Sequence, residues 1–427
     1  MKPEVTTLSN GLRVLTIDTK SFPTLTTVLL IGAGSRYENE HNNGIAHFFE
    51  HMAFKGSKKY PDSFTITSTI EGLGGKYNAF TSKDHTGYWI KATSDNFQTV
   101  IDVISDMILE PKLLAEEIEK EKGVIKEEIN MYEDTPMWKS GDLFEELLYK
   151  GTSLGYEIAG TKDTVDSFTR QTFTDYMNQL YHPDNAVLIV AGGFDGRKKE
   201  YIDVVKSAFG AWERHPVSGS FEPVVEHQTE PAVLSYYKKT EQTHFCLGFR
   251  SHGFSHPSKY ASSVLATMLG GGMSSRLFIE VREKRGLCYY ISTGRTSYAD
   301  VGSFVTSAGV TNDIEKTKDA ITVILKEHKK MLHGEFSPEE LKKAKALIKG
   351  RTLLSMEDSQ NVASYFGNEL LLQDEIKTPE EIIEKIEAVT AEEIIAAARD
   401  IFNPNNLNLS IIGPYKKGDF TEKDLVF

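Results

Sequence analysis

Two histidines four residues apart, His47 and His51, lie on the apolar stretch GIAHFFEHMAFKGS (44–57), with Glu50 between them. Helix positions four apart stack on one face, so both imidazoles would point the same way. Zinc takes His nitrogen and carboxylate oxygen, and a catalytic zinc keeps three protein ligands plus a water. His47 and His51 supply two of the three. Glu50, three residues after His47 and next to His51, then stands beside the open position, where a carboxylate can deprotonate the water. The order His-Xaa-Xaa-Glu-His reverses the more familiar zinc helix His-Glu-Xaa-Xaa-His.

A third ligand must come from elsewhere, and the Glu/Lys-rich segment EEIEKEKGVIKEEINMYED (116–134) offers carboxylates. Glu121 and Glu128 are 128 − 121 = 7 residues apart, two helical turns, and share a face. One of them can ligate while the other hydrogen-bonds a ligand. Glu116, Glu117 and Glu119 read as a solvated face with local ion pairs.

The elements that must position these groups are written twice in the chain. Residues 116–128 (EEIEKEKGVIKEE) align without a gap on 339–351 (EELKKAKALIKGR), and 168–193 align on 389–414, pairing Thr169 with Thr390, Pro183 with Pro404, Asn185 with Asn406 and Gly192 with Gly413. In this alignment Ala344 stands opposite Glu121 and Arg351 opposite Glu128, and no counterpart of 47–51 occurs in the second half. The acidic face therefore belongs to a task of the first half alone. Each half reads as strands, then long amphipathic helices, then a closing helix, a Pro-Asn turn and a terminal strand. That grouping predicts an α+β fold of two duplicated domains, each a mainly antiparallel sheet with helices packed on one face. The Pro/Gly/Ser-rich stretch RHPVSGSFEPVVEHQTEP places a linker at 214–231, between a zinc-binding domain at 1–213 and a second domain at 232–427 without metal ligands.

At 427 residues the chain exceeds the roughly 100–200 residues of a typical domain, in keeping with two. Hydrophobic residues make up 40% and charged residues 26%, ordinary for a soluble globular protein, and no membrane span is expected. With 48 basic against 61 acidic residues the formal charge is −13, which disfavours nucleic acid and anionic membrane as partners. The N-terminal sequence shows neither a signal-peptide core nor an Arg-rich transit pattern, and only Cys246 and Cys288 occur, so a reducing, cytoplasmic location is expected.

The set His47, Glu50, His51, Glu121 and Glu128 resembles the inverted-zincin peptidase family of pitrilysin, insulin-degrading enzyme and mitochondrial processing peptidase. It is most similar to the short two-domain bacterial members. The segments GSRYE (34–38), GGKYNAFTSKDHTGYW (74–89), LGGGMSSRLF (269–278) and VREKRGLCYY (281–290) look like further landmarks of that family, so the likeness spans nearly the whole chain. It implies one zinc per chain on His47, His51 and Glu128, with Glu50 as general base and Glu121 supporting the site. Substrate peptide would add as a strand beside Asn78, Ala79, Phe80 and Thr81, and Arg282 and Tyr289 would contact its backbone and the tetrahedral intermediate. Without the resemblance Arg282 reads as a surface charge, Tyr289 as a strand core residue and LGGGMSSRLF as a glycine-rich approach to another subunit or to substrate. Long-chain relatives carry four such domains where this chain has two, which implies a homodimer closing a chamber around extended peptides. A non-catalytic assembly subunit, or a catalytic subunit needing a distinct partner, are the alternatives.

Overall fold

The computed structural model describes residues 1–427, and its chain order repeats as the sequence alignment predicts. The first half runs β1 (Pro3–Thr7), β2 (Arg13–Asp18), β3 (Thr24–Ile31), α1 (Ile45–Ala53), α2 (Ser63–Gly72), β4 (Lys76–Thr81), β5 (Thr86–Thr93), α3 (Phe97–Leu109) and α4 (Ala115–Glu133). It continues with α5 (Pro136–Leu148), α6 (Lys162–Ser167), α7 (Arg170–Leu180), β6 (Ala186–Gly192) and α8 (Lys198–Phe209). The second half runs β7 (Ala232–Tyr237), β8 (Gln242–His252), α9 (Lys259–Gly270), a π-helical segment (Phe278–Glu283), β9 (Cys288–Ser297) and β10 (Val301–Thr311). It ends with α10 (Ile314–Leu332), α11 (Pro338–Ser355), α12 (Ser359–Gln373), α13 (Pro379–Ala388), α14 (Ala391–Ile401) and β11 (Leu407–Gly413). The aligned segments fall on equivalent elements, and even the helix starts match: α7 and α14 open on capping boxes at Thr169 and Thr390. Short turns at Pro183–Asn185 and Pro404–Asn406 then lead into β6 and β11.

Two compact units result. Unit 1 holds residues 1–129, 156–222 and 354–378, and unit 2 holds 130–155, 223–353 and 379–427. Unit 1 contains a six-stranded sheet in the order β1-β2-β6-β3-β5-β4, and unit 2 a five-stranded sheet in the order β7-β11-β8-β10-β9. Every neighbouring pair is antiparallel except β2 with β6 and β11 with β7. The sheets are thus mainly antiparallel, with equivalent parallel pairs.

The expected layer of helices on one sheet face is present, and the opposite face carries one more helix. In unit 1, Leu25, Leu29, Leu188 and Val190 meet Phe48, Phe49, Ile101, Ile104 and Phe173 of the helical layer. The alternate residues Val28, Leu30, Val187 and Ile189 pack with Val362, Ala363, Phe366 and Leu370 of α12. Burial on both faces accounts for the unbroken apolar run AVLIVAG of β6, every residue of which is buried. Unit 2 mirrors this, with Phe144 and Leu148 of α5 packed against Cys246 and Val301. The equivalent helices α5 and α12 are therefore exchanged: each covers the sheet of the unit built mainly from the other half. A cut at 214–231 does not describe these units, because 130–155 and 354–378 cross over. Residues 214–231 themselves carry no helix or strand. Cys246 and Cys288 are both buried free thiols, and no helix is long and apolar enough to cross a membrane.

Candidate metal centre

Helix α1 begins without the usual side-chain cap. Its N-cap is Gly44 at φ 97°, where an added Cβ would come within 2.7 Å of the Ala159 carbonyl oxygen, so only glycine fits. The orphan N–H groups are met instead by a buried carboxylate from the preceding loop: Glu38 accepts from Ala46 N (2.8 Å), Gly44 N (2.8 Å) and Asn43 Nδ2 (2.9 Å). That loop is itself fixed, by Ser35 N and Arg36 N donating to the carbonyls of Ser82 and Lys83, and by an Arg36–Asp84 ion pair at 2.9 Å. The segment GSRYE is thus the clamp that aims α1. Burial outweighs the three donors and the nearby Lys83 charge, and pushes the Glu38 pKa up to about 7. A carboxyl raised in the folded state stabilises below its ordinary pKa of 4.5, and that contribution is lost as pH rises through about 7. Denaturant unfolding at several pH values should show wild-type stability falling between pH 5 and 8 relative to Glu38→Gln, by roughly 2–3 kcal/mol. Parallel pH profiles for the two proteins would refute this.

From α1 the apolar residues point into the core, Phe48 edge-on to Phe173 and Phe49 edge-on to Tyr181, leaving His47, Glu50 and His51 along one flank. Helix α4 brings Glu128 to meet them. Its Oε2 lies 3.6 Å from His47 Nε2 and 3.4 Å from His51 Nε2, and one ligand atom from each of the three residues lies within 4.8 Å of the others. Two tetrahedral zinc ligands at about 2.1 Å from the ion stand about 3.4 Å apart, so the trio fits zinc in donor type and in spacing. The buried His47 Nδ1 has no protein hydrogen-bond partner.

Glu121 stays outside the trio. Its Oε1 accepts from His51 Nδ1 at 2.9 Å, and its Oε2 pairs with Lys55 Nζ. Burial disfavours a charged His51, but the Glu121 and Glu128 carboxylates outweigh it and push its pKa up to about 9. Hydrogen bonding from His47 and His51 holds the Glu128 carboxyl well below the usual range. Glu117 pairs with Lys120 and the exposed Glu119 with the largely buried Lys122, local ion pairs as read from the sequence. Lys55 is a residue that sequence reasoning missed, although it follows His51 by the same four-residue step that separates His51 from His47. Replacing it with Met should free Glu121, loosen the His51 ring and cost about 10–100-fold in zinc affinity, measured by competition with a chromogenic chelator. Unchanged affinity would remove Lys55 from the site.

Glu50 lies outside the trio as well, and its Oε2 accepts from Thr81 Oγ1 at 2.6 Å. Thr81 ends β4, the outermost strand of the unit 1 sheet, whose sole ladder partner is β5 through pairs such as Asn78 with Trp89 and Ala79 with Tyr88. The four residues Asn78 to Thr81 thus sit on a sheet edge that runs to the Glu50 carboxylate. The Ala79 N–H is covered by the Asn78 side-chain oxygen at 2.9 Å.

Arg282 and Tyr289 belong to unit 2. Arg282 leaves the π-helical segment with its guanidinium carbon 4.7 Å from the Phe278 ring centroid and 5.6 Å from that of Tyr289. Tyr289, near the start of the edge strand β9, is 71% exposed, so the reading as a core residue is overturned. In LGGGMSSRLF the glycines serve approaches within the chain: a Cβ on Gly270 would come within 2.2 Å of Thr293 N of β9. Arg276 pairs there with Glu327 and Glu340.

Comparison with known proteins places the site in a family context. Residues 13–162 match the model described as Insulinase (Peptidase family M16), and residues 167–348 match that described as Peptidase M16 inactive domain. The chain is 36% identical over 410 residues to an uncharacterized zinc protease of Bacillus subtilis (strain 168), covering 96% of this chain and 97% of that protein. It is 33% identical over 419 residues to an uncharacterized zinc protease of Streptomyces coelicolor, covering 96% and 89%. Among solved structures, a protease from Helicobacter pylori superimposes with a TM-score of 0.89 at 23% identity, covering 97% of this chain and 100% of that one, a likeness of fold.

Proposed function

Because the chain belongs to the M16 peptidase family, we propose that it is a zinc-dependent metalloendopeptidase cutting extended peptides and unfolded segments, as a cytoplasmic homodimer that closes a chamber around them. The observation that carries this reading is the convergence of His47, His51 and Glu128 beside a carboxylate, Glu50, that no ligand role occupies and that a sheet-edge residue holds in place. The trio would hold one zinc, which when bound polarises a scissile carbonyl and makes a water acidic enough to attack at neutral pH.

The chain's own groups do the rest. Glu50 takes the proton of the attacking water and returns it to the leaving amine, and the Thr81 hydroxyl keeps its carboxylate oriented. Lys55 and Glu121 hold His51 in one orientation. The substrate backbone adds along β4, taking over the Ala79 N–H from the Asn78 side chain, so affinity comes from main-chain hydrogen bonds and sequence is read loosely. Arg282 and Tyr289 are neighbouring donors suited to a peptide carbonyl and to the tetrahedral oxyanion.

A peptide-library digest by purified protein, with metal content measured on the same sample, tests the reading. Zinc bound at His47, His51 and Glu128 and cleavage of short unstructured peptides are expected, with a tightly folded domain left intact because it has no free extended backbone. A zinc-loaded protein that cuts nothing would favour a non-catalytic assembly role, and efficient digestion of the folded domain would defeat the chamber.

A further inference from the structure

A second group of ligand-type side chains converges in unit 2, within the half that lacks the catalytic set. His252 closes β8, His256 follows in the turn before α9, and Asp400 lies in the last turn of α14. His252 Nε2 is 2.5 Å from Asp400 Oδ2, and the two imidazoles stack with centroids 3.6 Å apart and planes 15° from parallel. One ligand atom from each of the three lies within 4.8 Å of the others, the same convergence that marks His47, His51 and Glu128. We propose that His252, His256 and Asp400 form a second metal site, open to solvent and selective for a divalent transition-metal ion such as zinc.

Two imidazoles and one carboxylate suit zinc, nickel or copper, whereas magnesium and calcium ask for oxygen ligands. The backbone of the turn is fixed: Phe254 N donates to Tyr298 O (2.9 Å), His256 N to Gly253 O (3.3 Å) and Lys259 N to His256 O (3.2 Å). His256 Nδ1 lies 2.7 Å from Ser258 Oγ. Ser258 N also donates to that Nδ1 at 3.3 Å, so in the metal-free protein the ring proton sits on Nε2, and an ion taken by Nε2 displaces it to Nδ1 with Ser258 Oγ as acceptor or to solvent. Turning one ring out of the stack lets both imidazoles address a common point beside Asp400. Entry is open, since the side chains of both His252 and Asp400 are partly exposed to solvent. The side chains of His252 and Asp400 are 33% and 47% exposed, against 10% and 23% for His47 and Glu128, so water competes more for this site and it is the weaker of the two. An ion here would tie three segments of unit 2 together, so its occupancy stabilises that unit by mass action.

The test titrates metal-stripped, full-length protein with zinc by calorimetry and, separately, with cobalt by visible absorbance. Wild type should take two ions per chain, the tighter lost in His47→Ala and the weaker lost in His252→Asn and in His256→Asn. Peptide cleavage by His256→Asn at saturating zinc should match wild type, and saturating the second site should raise the melting temperature of wild type but not of His256→Asn. Asp400→Asn, on the surface, repeats the measurement should a histidine variant fold poorly. One equivalent in wild type, removed by His47→Ala, would overturn the proposal while leaving the catalytic reading intact. A second equivalent that survives all three substitutions would also overturn it.

Discussion

Glu50→Gln should retain the zinc held by His47, His51 and Glu128 while turnover falls by about 10²–10⁴-fold, the range in which a positioned general base contributes. The separation follows from the geometry: Glu50 is no member of the His47, His51 and Glu128 trio, and its nearest polar partner is the Thr81 hydroxyl at 2.6 Å. Gln keeps the shape and can still accept from Thr81, so the site should stay assembled. His47→Ala removes a ligand and should lose both metal and activity. Metal analysis and peptide hydrolysis on the same preparations separate the two classes. A Glu50→Gln enzyme cleaving at near wild-type rate would sink the assignment, and so would one that loses its zinc while remaining folded, because Glu50 would then be a ligand.

Local periodicity made this part of the site legible. His47, Glu50 and His51 lie within two turns of one helix, and Glu121 and Glu128 share a face of another, so residue type and spacing alone bring each set to one side. What lay outside the reading depends on partners distant in sequence. Lys55 lies beyond the last residue of α1, where helical spacing no longer guarantees a common face. Glu38 reaches α1 from a loop pinned by residues 82–84, and the only sequence clue is negative: Gly44 precedes the helix where a Ser, Thr or Asp would normally satisfy the free N–H groups. The resemblance reads Thr81 only as a residue of the edge strand beside substrate, and the bond its hydroxyl donates to Glu50 has no signal in the sequence.

The duplication was equally legible, since aligned segments share caps, turns and strands. The exchange of α5 and α12 was not. Both are amphipathic helices of ordinary pattern, and nothing in an apolar stripe says which of two similar sheets will cover it. A sharper clue lay in the strands: LIV-rich β6 is too uniformly apolar for a sheet with one solvated face, which calls for a cover on its second side. The reading of Tyr289 as a core residue, made without the resemblance, missed for a related reason. Strand alternation predicts a buried face, but at the outermost strand β9 the large aromatic side chain is left exposed beside Arg282.

Mixing two crippled chains should restore activity. The proposal assigns zinc to the first-half set and oxyanion donation to Arg282 and Tyr289, and the resemblance to four-domain peptidases implies that the corresponding features there lie in the first and last domains. In a two-domain chain the Arg-Tyr pair should therefore come from the other copy of a homodimer. Glu50→Gln alone should be inactive, and Tyr289→Phe alone should lose about 10²-fold or more, the cost of removing one oxyanion donor. When the two are combined under conditions that let subunits exchange, each mixed dimer concentrates both defects in one site and leaves the other wholly wild type. With random pairing of equal amounts, half the dimers are mixed, so about a quarter of all sites regain full function. If each chain completed its own site, every site in the mixture would carry one defect and activity would stay at the mean of the two variants. Exchange is verified independently by tagging one chain and co-purifying the other, so a mixture that exchanges without recovering activity rules out the shared site.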